Sequence, residues 1–408
     1  MKSAQWRGSI GLLRHYVLAV HSSSGLLQVL KRLLTVVFTP FVSYLRYRGR
    51  FVVVEKHLEL CVYTSTNHLR ALARRNNQEP CAYLQIKIGS EPVNPEHFLL
   101  DSCVSFLVLK EHVNALAGVC SKMFVFRPRP IRRLALVSEY LSYCYTSSML
   151  KRLDIQPANV VVADSFSPRM IAVIDHFRSN CVRTEMIQHG LIQTASKYRS
   201  HADIYCCWSP YEYAKVKRFL PAYTTVRFVG KQFAAPSNSE LRGIVRCLIV
   251  MSPVQGIGLP YPKPLIDFLV ELSTSGTVSV RLHPSDNREK FIKQLSGAKK
   301  FAISNASWEE DLSCFSHFIV FNSTCLLDIL YADKCLATLM LGRLKYSRPS
   351  VPRADIIPNI ESVADYHRFT SGVEKQSIRE DILLAASGFV EEGGICNSSG
   401  KLQRQESY

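Results

Sequence analysis

The strongest constraint on the fold is an alternation that begins near residue 100, where short apolar runs take turns with stretches of helical spacing. Cys103–Leu109 (CVSFLVL) reads as a buried strand, and Asn159–Ala163 (NVVVA) as a second, β-branched and bounded by polar residues. Ser167-Pro168 then opens a helix, with Ser as N-cap and Pro at the first helical position, and Ile171, Ile174 and Phe177 continue it. Val182–Gln188, Asp203–Cys207 and Val226–Val229 read as further strands, with a helix near Tyr211–Phe219. After a polar stretch with Pro and Gly at Lys231–Arg246 the pattern resumes. It predicts strands at Cys247–Met251, Thr277–Leu282, Phe301–Ser304, His317–Phe321 and Cys335–Leu341. Helices are predicted at Pro264–Ser273, Asn287–Leu295 and Thr324–Ala332, with a last one near Ile378–Ser387. Such alternation implies an α/β fold of parallel sheets joined by right-handed crossovers. Two doubly wound halves on a linker imply a cleft outside the C-terminal ends of both sheets, where ligands of such folds bind.

With 408 residues the chain suits two domains of ~150 residues and an appendage. Hydrophobic residues at 47% and charged residues at 20% exclude general disorder. The expected organisation is a basic amphipathic segment at 1–50, an N-terminal α/β domain at 51–230 and a linker at 231–246. A C-terminal α/β domain at 247–390 and a flexible tail at 391–408 complete it. The 13 cysteines are scattered, form no CxxC pair and include the adjacent Cys206 and Cys207, so a reduced, cytosolic chain without a zinc site is expected.

The net charge of +17 is unevenly placed. Lys2, Arg7, Arg14, Lys31, Arg32, Arg46, Arg48 and Arg50 precede the first acid, Glu55. The same segment is apolar, but Lys31 and Arg32 interrupt it and Pro40 breaks the run after them, so it makes a poor span. Basic, apolar, helix-compatible stretches lie in the membrane interface and prefer anionic lipid. The alternative is an ordinary first helix with its arginines in water. Nucleic acid is not an expected partner, because no helix-turn-helix, zinc finger or aromatic RNA-binding signature accompanies the charge.

Three motifs fall at predicted strand ends. Gln188-His189-Gly190 follows TEMI, and its glycine permits a sharp turn that presents the imidazole at the sheet edge. Such a histidine serves as general base or is satisfied by turn backbone. Arg281-Leu282-His283-Pro284 ends TVSV, with Arg281 and His283 on one side, suited to a phosphate, and with Ser285-Asp286 placed to cap the next helix. Asn322-Ser323-Thr324 opens a helix after HFIVF, where free N–H groups and hydroxyls make an anion site or a simple cap. Asp328 lies one helical turn beyond Thr324, placed for a ribose diol or for the helix dipole. There is no GxGxxG, Walker loop, GxSxG or DxD triplet, which points to charge stabilisation by protein donors rather than Mg²⁺.

The runs VVADSFSPRMIAVIDHF…EMIQHGLI, HADIYCCWSPYEYAKV, FVGK, RLHP and FNSTCLLDILYADKC resemble bacterial surface-polysaccharide glycosyltransferases of the GT-B fold. The look-alikes are sialyltransferase-like capsule and lipopolysaccharide proteins and teichoic acid glycerophosphate polymerases. The resemblance covers Asn159–Leu341. It implies a donor phosphate held by His283 with Pro284 and by Ser323 with Thr324, transfer that needs His189 and His283, and ribose on Asp328. The acidic base motif of several sialyltransferases is missing, so Asp164, Glu185 and His189 are each candidates for the base. Asp164 follows NVVVA and equally suits an Asx turn.

The resemblance implies a metal-independent glycosyltransferase with no cofactor beyond its donor. It would move a sugar from a nucleotide-sugar, CMP-linked by preference, to a lipid-linked glycan in capsule or lipopolysaccharide synthesis. It would work in the cytoplasm, peripheral at the inner face of the plasma membrane. The alternatives are a polyol-phosphate transferase using CDP-glycerol or CDP-ribitol, a sugar-nucleotide epimerase, and a non-catalytic polysaccharide assembly protein with a degenerate nucleotide site.

Overall fold

A computed structural model of the chain describes residues 13, 17, 26–47, 59–75, 81–86, 97–100, 104–122, 130–153, 155–164, 166–192, 200–231, 233, 246–251, 261–283, 286–298, 300–321, 325–341, 351, 357–371 and 382–383. The chain divides into two compact units, one of residues 1–207 and 213–228, the other of 208–212 and 229–408.

In the first unit helix α1 (Leu26–Tyr47) precedes β1 (Glu59–Tyr63), α2 (Thr66–Arg75), β2 (Cys81–Gln85), β3 (Phe98–Leu99), α3 (Phe106–Lys122) and α4 (Pro130–Leu150). There follow β4 (Asn159–Val162), α5 (Pro168–Ser179), β5 (Arg183–Ile187), β6 (Ile204–Cys207), α6 (Pro210–Val216), whose residues up to Glu212 belong to the second unit, and β7 (Thr225–Phe228). The seven strands pair in parallel in the order β3-β2-β1-β4-β5-β6-β7. The central strands β1 and β4 are buried at every position, as strands covered on both faces must be. Met170, Val173, Ile174 and Phe177 of α5 bury one face of the sheet with Val160 and Val162, and Tyr145 and Met149 of α4 extend that core. Helices α1 and α3 pack in turn on α4. Leu72 of α2 covers Cys61, Val161 and Ala163 on the opposite face.

The second unit contains β8 (Cys247–Val250), α7 (Lys263–Ser275), β9 (Val278–Arg281), α8 (Arg288–Gln294), β10 (Phe301–Ile303), α9 (Trp308–Cys314), β11 (His317–Val320), α10 (Leu326–Tyr331), β12 (Cys335–Leu339), β13 (Asn359–Ile360) and α11 (Val363–Ser371). Its six strands are also all parallel, in the order β10-β9-β8-β11-β12-β13. Leu265, Phe268, Leu269 and Leu272 of α7 pack on Ile249, Val280 and Ile319 to form its core. The expected α/β architecture of two doubly wound parallel sheets is present. In each sheet the strand order reverses once, between β1 and β4 and between β8 and β11, which makes those two points the natural ligand crevices.

Some expectations are corrected. The run over Cys103–Leu109 is no strand from Phe106 on, because α3 begins there. Ser105 Oγ accepts the Val108 N–H at 3.4 Å as its cap, and the helix continues through KEHVNALAGV. A short apolar run alone does not separate a strand from a buried helix. Ser167 is the N-cap of α5 with Pro168 at its first turn, as expected, but the Ser167 side chain makes no capping bond; its carbonyl accepts the Ile171 N–H at 2.9 Å. Helix α8 is capped by Asn287, whose Oδ1 accepts the Lys290 N–H at 2.9 Å, and not by Asp286; Ser285 lies outside the described residues. Of the expected linker only Lys231, Phe233 and Arg246 are described, and Lys231 is buried. Of the helix expected at Ile378–Ser387, Ile382 and Leu383 are described, helical and buried. The tail from Glu391 lies outside the described residues.

Candidate active site

The crevice of the first sheet gathers residues from three strand ends. Asp164 follows β4, His189 follows β5, and His68 stands in the first turns of α2, directly after β1. Parallel pairing of β1 with β4 and of β4 with β5 aligns these ends. The His68 and His189 rings meet edge to face, with centroids 4.6 Å apart at 65°. Ser65 caps α2, accepting the His68 N–H at 3.3 Å, and Thr64 Oγ1 lies 2.9 Å from His68 Nδ1. Burial pushes the His68 pKa down to about 4, helped by His189 and opposed by the Asp164 charge. His189 is also held below the usual histidine value by burial, against Asp164 and a backbone hydrogen bond at Ala163. Both rings are therefore neutral at pH 7, each with one N–H and one lone pair.

Asp164 fills the local role its position allows: Oδ1 accepts the Phe166 N–H at 2.8 Å in an Asx turn. Its charge still faces both imidazoles. Glu185 is corrected as a base candidate. It lies buried within β5 and accepts from Cys206 Sγ at 2.8 Å, inside the sheet rather than at its end. His68 was not anticipated from the sequence. The signal for it is YTSTNH, a strand end followed by Ser and a histidine in the first helical turn.

In the second sheet His283 follows β9, with its pKa lowered by burial and partly restored by Asp286. The Asp286 N–H donates to the His283 carbonyl at 2.9 Å, and Tyr261 Oη donates to Asp286 Oδ2. That carboxylate and the burial push the Tyr261 hydroxyl well above its usual pKa, burial being the larger cause. Tyr261, Asp286 and His283 thus form one polar cluster beyond β8 and β9.

Arg281 has other partners. Its Nη1 donates to Asp311 Oδ2 and to the Ala306 carbonyl at 2.9 Å, and the guanidinium lies 5.5 Å from the Trp308 ring centroid. Ser304 Oγ donates to the second Asp311 oxygen at 2.6 Å, so the arginine ties β9 to α9. Asp328 is buried on α10 and accepts from Lys231 Nζ. That ammonium also lies 4.3 Å from the Phe233 ring centroid and 6.0 Å from that of Trp208, and Phe233 stacks on Tyr331 at 4.3 Å. Pro284, Asn322, Ser323 and Thr324 lie outside the described residues. Among the described residues no group of three or more His, Cys, Asp or Glu is arranged to hold a metal ion.

No protein-family profile matches this chain, and no curated protein matches it. Solved structures do. A putative UDP-N-acetylglucosamine 2-epimerase from Listeria monocytogenes is 11% identical, with a TM-score of 0.44 over 82% of this chain and 92% of that one. The lipopolysaccharide outer core galactosyltransferase WaaB, in its apo form, is 11% identical over 80% and 94%, with a TM-score of 0.40. The glycosyltransferase SnogD from Streptomyces nogalater is 12% identical over 81% and 94%, also at 0.40.

Proposed function

We propose that the chain is a GT-B-like, metal-independent glycosyltransferase of capsule or lipopolysaccharide synthesis. It takes a sugar from a nucleotide-sugar, CMP-linked by preference, and passes it to a lipid-linked glycan at the cytoplasmic face of the plasma membrane. The observation that carries this reading is the neutral histidine pair beside Asp164 at the switch point of the first sheet. A neutral imidazole in a buried site accepts a hydroxyl proton, and a nearby carboxylate steadies the imidazolium that forms.

In this scheme His189 takes the proton from the acceptor hydroxyl, whose oxygen attacks the anomeric carbon. The bond from that carbon to the donor phosphate breaks, and CMP leaves with the electron pair. The second domain holds the donor: His283, beside the Asp286 charge, faces the phosphate with its neighbour Pro284, and Asn322, Ser323 and Thr324, which follow β11 in the chain, complete the phosphate site. Arg281 supports that strand end from its ion pair with Asp311.

One observation favours a second reading. Asp328, the proposed ribose ligand, is already paired with Lys231, as in an assembly protein with a degenerate nucleotide site. The test is nucleotide release by the purified chain from CMP-sugars, UDP-sugars, CDP-glycerol and CDP-ribitol, with a lipid-linked glycan as acceptor. Release from a CMP-sugar that falls in both His189→Ala and His283→Ala supports the transferase. Release from a CDP-alcohol alone replaces it with polyol-phosphate transfer. No calorimetric binding of CMP, CDP or UDP sinks every enzymatic reading.

A further inference from the structure

Helix α1 has two dissimilar faces. Val29, Val36, Thr39 and Ser43 are buried towards the domain, where Val29 meets Ala135 and Val36 meets Val137 and Leu141 of α4. On the same side Arg32 makes a bidentate ion pair with the fully buried Glu139, at 2.6 and 3.0 Å. The other face carries Leu26, Leu27, Leu30, Leu34, Phe38, Phe41, Val42 and Leu45, all exposed, with Leu27 at 81%, Phe38 at 58% and Leu45 at 72%. At ~100° per residue these eight side chains occupy roughly 160° of the helix circumference. At one edge of that stripe stand two exposed basic residues, Lys31 just inside it and Arg46 just outside. The neighbouring α3 adds exposed Phe106, Leu107 and Val113 around an exposed Lys110. Apolar surface this concentrated marks a contact site rather than ordinary surface.

We propose that α1, with the first turns of α3, docks this domain in the plane of an anionic lipid bilayer. The charges choose the occupant: α1 contains no acid, and the first one in the chain is Glu55. Anionic headgroups complement Lys31, Arg46 and Lys110 while the leucine and phenylalanine side chains sink among the upper acyl carbons. A second copy of the chain buries the apolar stripe but sets these basic residues against their own kind. Spanning is excluded by the other face. The helix is long enough to cross a membrane, but crossing would strip Glu139 of Arg32 and pull Val29 and Val36 out of the α4 contact. This inference shares with the proposed function only its place at a membrane, and nucleotide release tests the chemistry separately.

The experiment is sedimentation of the full chain with vesicles of phosphatidylcholine, alone or with about 30% phosphatidylglycerol. Binding is expected with the anionic vesicles, and it should weaken as salt is raised. Lys31→Gln and Arg46→Gln should each lower partitioning about fivefold, the equivalent of about 1 kcal/mol per basic residue. Phe38→Ser, Val42→Ser and Leu45→Ser together should lower it by at least about tenfold with an unchanged melting temperature, since these side chains touch solvent and not the core. Four results would overturn the proposal: no binding to either vesicle, equal binding to both, a solution dimer that the triple serine variant dissolves, or retention in membranes through alkaline carbonate.

Discussion

His68 and His189 sit between opposed influences. Burial drives both pKa values down, His68 to about 4, while the Asp164 carboxylate draws them up. Losing the proton acceptor at His189 should cost transfer about 10²–10⁴-fold, the usual contribution of a positioned general base. His189→Ala should show that loss in turnover, with donor affinity by calorimetry little changed. The same burial has a stability consequence. In the unfolded chain a histidine protonates near pH 6.5, whereas folded His68 resists protonation until about 4. Between those values the unfolded chain binds more protons, so stability rises with pH across the window. The contribution is complete above about 6.5 and is lost as the pH falls towards about 4. The melting temperature should therefore be lower at pH 5 than at pH 7. His68→Gln should flatten that dependence without abolishing it, because His189 and His283 shift in the same direction.

At the scale of elements, the attachment of α1 to α4 is the contact most open to test. Arg32 is partly exposed and Glu139 fully buried, so the two halves of their ion pair are not equivalent. Arg32→Ala leaves a carboxylate in the interior and should destabilise the chain by about 3 kcal/mol or more. Glu139→Gln leaves an arginine that reaches water and a buried amide that can still hydrogen-bond, at a cost of about 1 kcal/mol. Urea unfolding of the two variants should rank them in that order. The elements differ in how far their sequence announces them. Strands β4 and β8–β12 are apolar runs with polar borders, several rich in Val and Ile, and their alternation with helices is plain in the chain. Strand β1 (ELCVY) starts with a glutamate that the fold buries, where its carboxylate accepts from Asn159 at 3.0 Å, so its pattern misleads. Helix α9 carries a legible capping box, Ser307 with Glu310, that strand-centred reading passes over. His68 and His189 lie far apart in sequence, and only strand pairing joins them. Arg281 shows the reverse limit: its place at a strand end is legible, but its partner Asp311 comes from a helix that the alternation does not reveal.

At the scale of the molecule, the second unit receives the chain twice, at Trp208–Glu212 and again from Val229. Gly230 adopts a φ of 66°, a conformation open to glycine at little cost, and delivers Lys231 to its buried position. There the ammonium meets Asp328 of α10 and lies near the Trp208 ring, so one lysine fastens both entering segments to the second domain. Two roles for the pair make different predictions. Lys231→Ala strands a buried carboxylate and should destabilise by about 3–5 kcal/mol under either role. Lys231→Met combined with Asp328→Leu replaces the pair with apolar groups of similar bulk, which is often neutral or stabilising. If the pair only fastens the chain, the double variant keeps its stability and binds nucleotide as the parent does. If Asp328 also holds the ribose, stability is kept while calorimetric nucleotide affinity falls by about tenfold or more, the loss of one charge-assisted hydrogen bond. The second outcome is the one expected. Unchanged affinity in a fully folded double variant would remove Asp328 from the donor site and leave Arg281 and His283 as the candidates among the described residues there.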